Sequence, residues 1–181
     1  MTARLSNLSS NVLAGVLAWP VARYIAREGR RLHAVSTPLT ESDRRLFSPY
    51  FVAPYLDRVR TVTSDPLPLP NAPFHSQLVR LGLDFPSPRQ TAAVTLDNVI
   101  ASRHVMGPSL LFHELVHTVQ FRLLGVHTFA RLYVRGFVRA QSYHRIPLER
   151  CAFELGRRFE RGDRSLNVES EVKAWIDKGL L

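Results

Sequence analysis

The most constraining stretch of this 181-residue chain runs from Leu110 to Leu124, LLFHELVHTVQFRLL, an apolar run between Gly107-Pro108-Ser109 and Gly125. The glycine and proline ahead of it stop the preceding element and open a helix, and the glycine behind closes that helix. With about 3.6 residues per turn, His113 and His117 project from one face, one above the other. Phe112, Leu115, Val116 and Val119 surround them with apolar side chains, which directs the helix into the interior. Two unpartnered imidazoles would be costly there, and a shared metal ion removes the cost. Zinc accepts such ligands in a tetrahedral set that leaves one position for water in catalytic sites. Glu114 lies about 100° around the axis from His113. That offset keeps its carboxylate out of the ligand set but within reach of a water molecule activated by the metal, as a general base requires.

The rest of the chain predicts an α+β fold, mostly helical, with a small β-sheet ahead of this helix. Val12, Leu13, Val16, Leu17, Ala18 and Ile25 form a broad apolar stripe on a helix reaching about Leu32. Thr40-Glu41-Ser42-Asp43 resembles an N-cap opening a short helix through Phe47. Asp57 to Ser64 and Thr91 to Ser102 each read as one strand. Pro66, Pro68, Pro70 and Pro73 mark an extended connector, 74–83 reads as a short helix, and Pro86 and Pro88 mark a loop. Behind Gly125, helices are expected over His127 to Ser142, Leu148 to about Arg161 and Val168 to Lys178. We divide the chain into an N-terminal amphipathic arm, 1–40, and a main domain, 41–181.

Composition narrows the function classes. The single cysteine, Cys151, excludes an intramolecular disulfide and a cysteine-based structural zinc site. The net charge of +9 is almost wholly arginine, since Lys173 and Lys178 are the only lysines. The nine arginines from Arg131 to Arg164 are spread along expected helices with four acids among them, so no nucleic-acid partner is expected. Asn11 to Ala26 is apolar and is followed by basic residues, but it falls short of the about 20 residues that a spanning helix needs. Pro20 in its middle and the lack of a small-residue cleavage site argue against a signal peptide. The chain therefore reads as cytoplasmic, with a peripheral membrane contact through residues 11–31 as the alternative to a helix docked on the domain.

The sequence His113-Glu114-Leu115-Val116-His117 resembles the zincin metallopeptidases, in which a third ligand follows downstream. A metzincin would carry glycine at 120 and histidine at 123, where this chain has Gln120 and Leu123. The remaining resemblance, over about residues 91–160, is to the gluzincins, which take a glutamate from a later helix. Glu149 and Glu154 compete for that role, with His127 and His144 as outsiders. Ile146-Pro147-Leu148-Glu149 is similar to the opening of the glutamate helix in small bacterial gluzincin-like proteins, which implies Glu149. Its plainer role is an acid favoured by the helix dipole. The family often has a second acid two places on, where this chain has Cys151. The resemblance also implies that the segment before the helix binds extended peptide by strand addition. It further implies a tyrosine or histidine that stabilises the oxyanion, Tyr143 or His144 ahead of Tyr133.

The expectation is a zinc-dependent peptidase acting on a peptide or protein substrate, with His113, His117 and Glu149 as ligands and Glu114 as base. The alternative is a zinc-bearing scaffold or interaction module without turnover, attached to a membrane surface by its N-terminal helix. Retention of Glu114 argues against it, because a structural site has no use for that carboxylate.

Overall fold

The computed structural model describes residues 2–69, 91–140 and 142–181, with side chains from residue 15 onward. The helix expected over 74–83 and the loop at Pro86 and Pro88 lie outside the described residues. The fold is α+β: long helices packed around a small mixed sheet that precedes the histidine-bearing helix.

Helix α1, Thr2–His33, takes in Pro20 on its exposed side and ends in Arg30, Arg31 and His33, cations that suit a helix C-terminus. Ala18, Ala22, Ile25 and Leu32 on its inner face are buried, the last three in the same core as the rest of the chain. Strand β1, Thr37–Pro38, leads to α2, Glu41–Phe47. The Thr40 hydroxyl caps α2 by accepting from the Asp43 amide at 3.1 Å. A single turn, α3, Ala53–Leu56, then precedes β2, Arg60–Thr63.

The expected strand over Thr91 to Ser102 is instead a hairpin of β3, Ala93–Leu96, and β4, Val99–Ser102. The two-residue turn Asp97-Asn98 divides it, with Asp97 at φ 63°. Aspartate tolerates that left-handed conformation better than most residues. The strand order is β1-β2-β4-β3, with β2 and β4 parallel and the two outer pairs antiparallel. Thus β3 ends the sheet among the described residues.

Helix α4, Pro108–Ala140, bends at Gly125, whose φ of 74° and ψ of 155° break the helical path. Its two arms therefore match the two helices expected on either side of that glycine. After a 3₁₀ turn at Tyr143–Arg145, Pro147 opens α5, Pro147–Glu160, and Asn167 caps α6, Val168–Asp177. The second arm of α4 comes so close to the start of α5 that a Cβ at Gly136 would lie 2.8 Å from the Pro147 ring. A second tie between α4 and α5 is aromatic: Phe112 and Phe159 stack at 4.4 Å, and Phe47 packs against both. Such pairs add about 0.5–1.5 kcal/mol each beyond their buried area. Together these contacts fix the first turn of α5 opposite the middle of α4.

Candidate metal centre

Every residue of α4 from Leu111 to Phe121 is buried, including His113, Glu114, His117, Thr118 and Gln120. Proline at the first position of α5 sets its backbone for a helix start, and Glu149 then falls in the first turn, buried and facing α4. The result is a cluster of three donor atoms. His113 Nε2 and His117 Nε2 are 3.1 Å apart, and they lie 3.2 Å and 3.3 Å from Glu149 Oε2. Ligands at about 2.0–2.1 Å from a tetrahedral ion are separated by about 3.3–3.4 Å, so these atoms form one face of such a polyhedron. Glu149 Oε2 is buried and has no hydrogen-bond partner. A buried carboxylate oxygen there is stabilised by a proton on a neighbouring imidazole or by a metal ion between the three groups. His113, His117 and Glu149 could hold a metal ion together.

The charges of the cluster are strongly coupled. Burial works against a charge on His117, but the Glu149 carboxylate outweighs it and carries the imidazole pKa up to about 9. Burial likewise opposes ionisation of Glu149, and the two imidazoles overcome it, holding its carboxyl well below the usual range. A proton on His117 thus occupies the ground that a metal ion would take.

The surrounding residues fall into clear places. Glu114 is buried beside the cluster, where Thr95 Oγ1 of β3 donates to its Oε2 at 2.6 Å. The tyrosines Tyr133 and Tyr143 line the same cavity. Burial raises both phenol pKa values and the neighbouring Glu149 charge raises them further, so both keep their protons. His144 is exposed at the rim, its ring 5.4 Å from that of Phe153. Glu154 points away from the cluster into an ion pair with Arg157 at 2.5 Å. His127 is exposed. Cys151 is a buried thiol pushed up to about 12, chiefly by burial.

A cavity of about 730 Å³ opens over the cluster, walled by Val21 and Tyr24 of α1, Thr95 of β3, Phe121 and Phe129 of α4, and Phe153 of α5. Strand β3 presents a free edge among the described residues. The Arg103 amide donates to Ala92 O at 3.1 Å, which sets the alternation of the ladder. Ala92, Val94 and Leu96 therefore turn their main-chain groups toward β4, and Ala93 and Thr95 turn theirs to the edge.

Two residues of the site escaped the sequence reading. Thr95 was an ordinary strand residue there, although its alternation with Val94 and Leu96 marks a face. Gln120 served only to exclude one peptidase group, yet it is wholly buried and bonds to His117 and to Leu148 O. The signal for Gln120 was a polar residue one turn beyond His117 on an otherwise apolar helix. Comparisons with models of known families, with curated proteins and with solved structures give no match.

Proposed function

We propose that the chain is a zinc-dependent hydrolase of peptide bonds, of gluzincin type, with His113, His117 and Glu149 as zinc ligands and Glu114 as general base. One observation carries this reading: three ligand atoms meet at 3.1–3.3 Å in a buried cluster that has a further carboxylate, Glu114, beside it. Two imidazoles and one carboxylate suit zinc, whereas calcium and magnesium take oxygen ligands. When bound, zinc supplies Lewis acidity, polarising a scissile carbonyl and lowering the pKa of water.

The chain's own residues do the rest. Glu114 takes the proton of the attacking water and passes it to the leaving amine. Thr95 holds one oxygen of that carboxylate through its 2.6 Å bond, which limits rotation of the base. Tyr133 and Tyr143, both kept protonated, are donors for the oxygen on which negative charge builds. The edge groups of Ala93 and Thr95 supply hydrogen bonds for an extended peptide laid beside β3. Thr95 would then join the substrate strand to the base, through its main chain on one side and its hydroxyl on the other.

The test compares wild type with Glu114→Gln, measuring zinc by elemental analysis and cleavage with a peptide library. We expect about one zinc in each protein and a rate about 10²–10⁴-fold lower in the variant. Equal rates would remove Glu114 as the base. A zinc-loaded wild type that cleaves nothing would favour the scaffold alternative.

A further inference from the structure

Gln120 does something in this site that the ligand set alone does not explain. Its side chain is completely buried beside the Cys151 thiol and bonds toward each half of the ligand set. Its Nε2 donates to Leu148 O on α5 at 2.9 Å. A carbonyl oxygen can only accept, so the amide orientation is fixed: nitrogen to Leu148, oxygen to His117. The Gln120 Oε1 lies 2.8 Å from His117 Nδ1, and an amide oxygen can only accept. His117 Nδ1 must therefore keep its proton, so Nε2 is the nitrogen that gives up a proton and offers a lone pair when a metal binds. Nε2 is the atom that meets His113 and Glu149. Leu148, the other end of the relay, directly precedes Glu149 in the first turn of α5.

We infer that Gln120 is a positioning residue for the metal centre, which fixes the ring nitrogen His117 offers and ties that histidine to the backbone that carries Glu149. The inference rests on the metal-centre reading above and adds a residue outside the ligand set. Histidine ligands depend on a partner for the second ring nitrogen, and loss of such a partner typically costs about 10–100-fold in metal affinity. Here one amide replaces two separate supports, because the acceptor for His117 and the clamp on α5 are the same side chain. The geometry also accounts for a glutamine rather than an acid at 120. A carboxylate there could accept from His117 but could not donate to Leu148 O, and two oxygens would face each other in a dry interior.

The experiment uses the full chain, zinc alone as the probe, and Gln120→Met, which keeps the length of the side chain and removes both bonds. Zinc affinity is measured by competition with a chromophoric chelator. ¹⁵N NMR of the zinc-loaded wild type reports which ring nitrogen of His117 is protonated. We expect a zinc dissociation constant raised about 10–100-fold in the variant, and a His117 Nδ1 proton in wild type that exchanges slowly with water. Wild-type affinity in Gln120→Met overturns the inference. If Gln120→Met does not fold, the wild-type spectrum decides alone: a slowly exchanging Nδ1 proton supports the relay, and metal on Nδ1 or a freely exchanging Nδ1 proton overturns it. A wild type that binds no zinc strikes the metal-centre reading itself and this inference with it, a result distinct from a defect confined to the variant.

Discussion

Helix α1 and the first arm of α4 are both long and rich in apolar residues, but they treat their polar residues in opposite ways. α1 is one-sided. Ala18, Ala22, Ile25 and Leu32 are buried, while Val16, Trp19, Arg23, Arg27 and Arg31 face outward. Its arginines stay hydrated, and its single acid, the buried Glu28, is paired with Arg27 and Arg31, whose own side chains are largely exposed. From Leu111 to Phe121, α4 is buried all round, so His113, Glu114, His117 and Gln120 have no water to fall back on. Each needs a partner inside the protein. They find one another, Glu149, Thr95 and Leu148 O. The cations of α1 thus reach solvent, whereas the polar atoms in the buried middle of α4 belong to a site.

The sharpest way to break that contrast is through α5. Glu149→Ala removes the proposed ligand on α5 and should abolish stoichiometric zinc binding, read by equilibrium dialysis. Glu154→Ala, five residues on but in an exposed pair with Arg157, should retain about one zinc per chain. Equal loss in both variants would mean that burial does not select the ligand. A second test compares apolar truncations on the two helices. Leu115→Ala on α4, fully buried, should cost about 2–5 kcal/mol in urea unfolding of the metal-free protein. Val16→Ala on α1, 66% exposed, should stay within about 0.5 kcal/mol. Similar costs would contradict the one-sided packing of α1.

What could be read from sequence depended on how local the cause was. His113 and His117 lie one helical turn apart, and Gly125 and the Thr40 cap punctuate the chain within a few residues of the elements they end or start. The β3–β4 hairpin was less visible. Asp97-Asn98 interrupts an apolar stretch without glycine, so the turn looked like part of one strand. The parallel pairing of β2 with β4 joins residues about 40 positions apart and leaves no local trace. The role of Gln120 needs both the ring of His117 and a carbonyl on another helix. The closeness of Tyr133 to Glu149 depends on the bend at Gly125 and the close approach at Gly136. Spacing alone therefore favoured Tyr143 and His144, of which only Tyr143 lies against Glu149.

The smallest expected effect concerns protons. His117 has a folded pKa of about 9 against an ordinary 6.5, since Glu149 more than offsets the effect of burial. A raised pKa stabilises the fold fully below about pH 6.5, and the contribution is lost as pH rises through about 9. Glu149, lowered from its ordinary 4.5, contributes fully above that value, and its share is lost only as pH falls through the lower folded pKa. The metal-free protein should therefore lose thermal stability between pH 6.5 and 9. Zinc must displace the His117 proton, so binding at pH 7 should release about one proton, and apparent affinity should rise about tenfold per pH unit up to about pH 9. Calorimetry in buffers of different ionisation enthalpy counts that proton, and a release of none would contradict the coupling of His117 to Glu149.

The central claim is that α4 and α5 together form one metal centre. Anomalous diffraction at the zinc edge, from crystals grown with zinc, tests it most directly. The account predicts a single strong peak about 2.0–2.2 Å from His113 Nε2, His117 Nε2 and Glu149 Oε2. No peak there, or a peak bound through Glu154 or through the Nδ1 atom of His117, would contradict it.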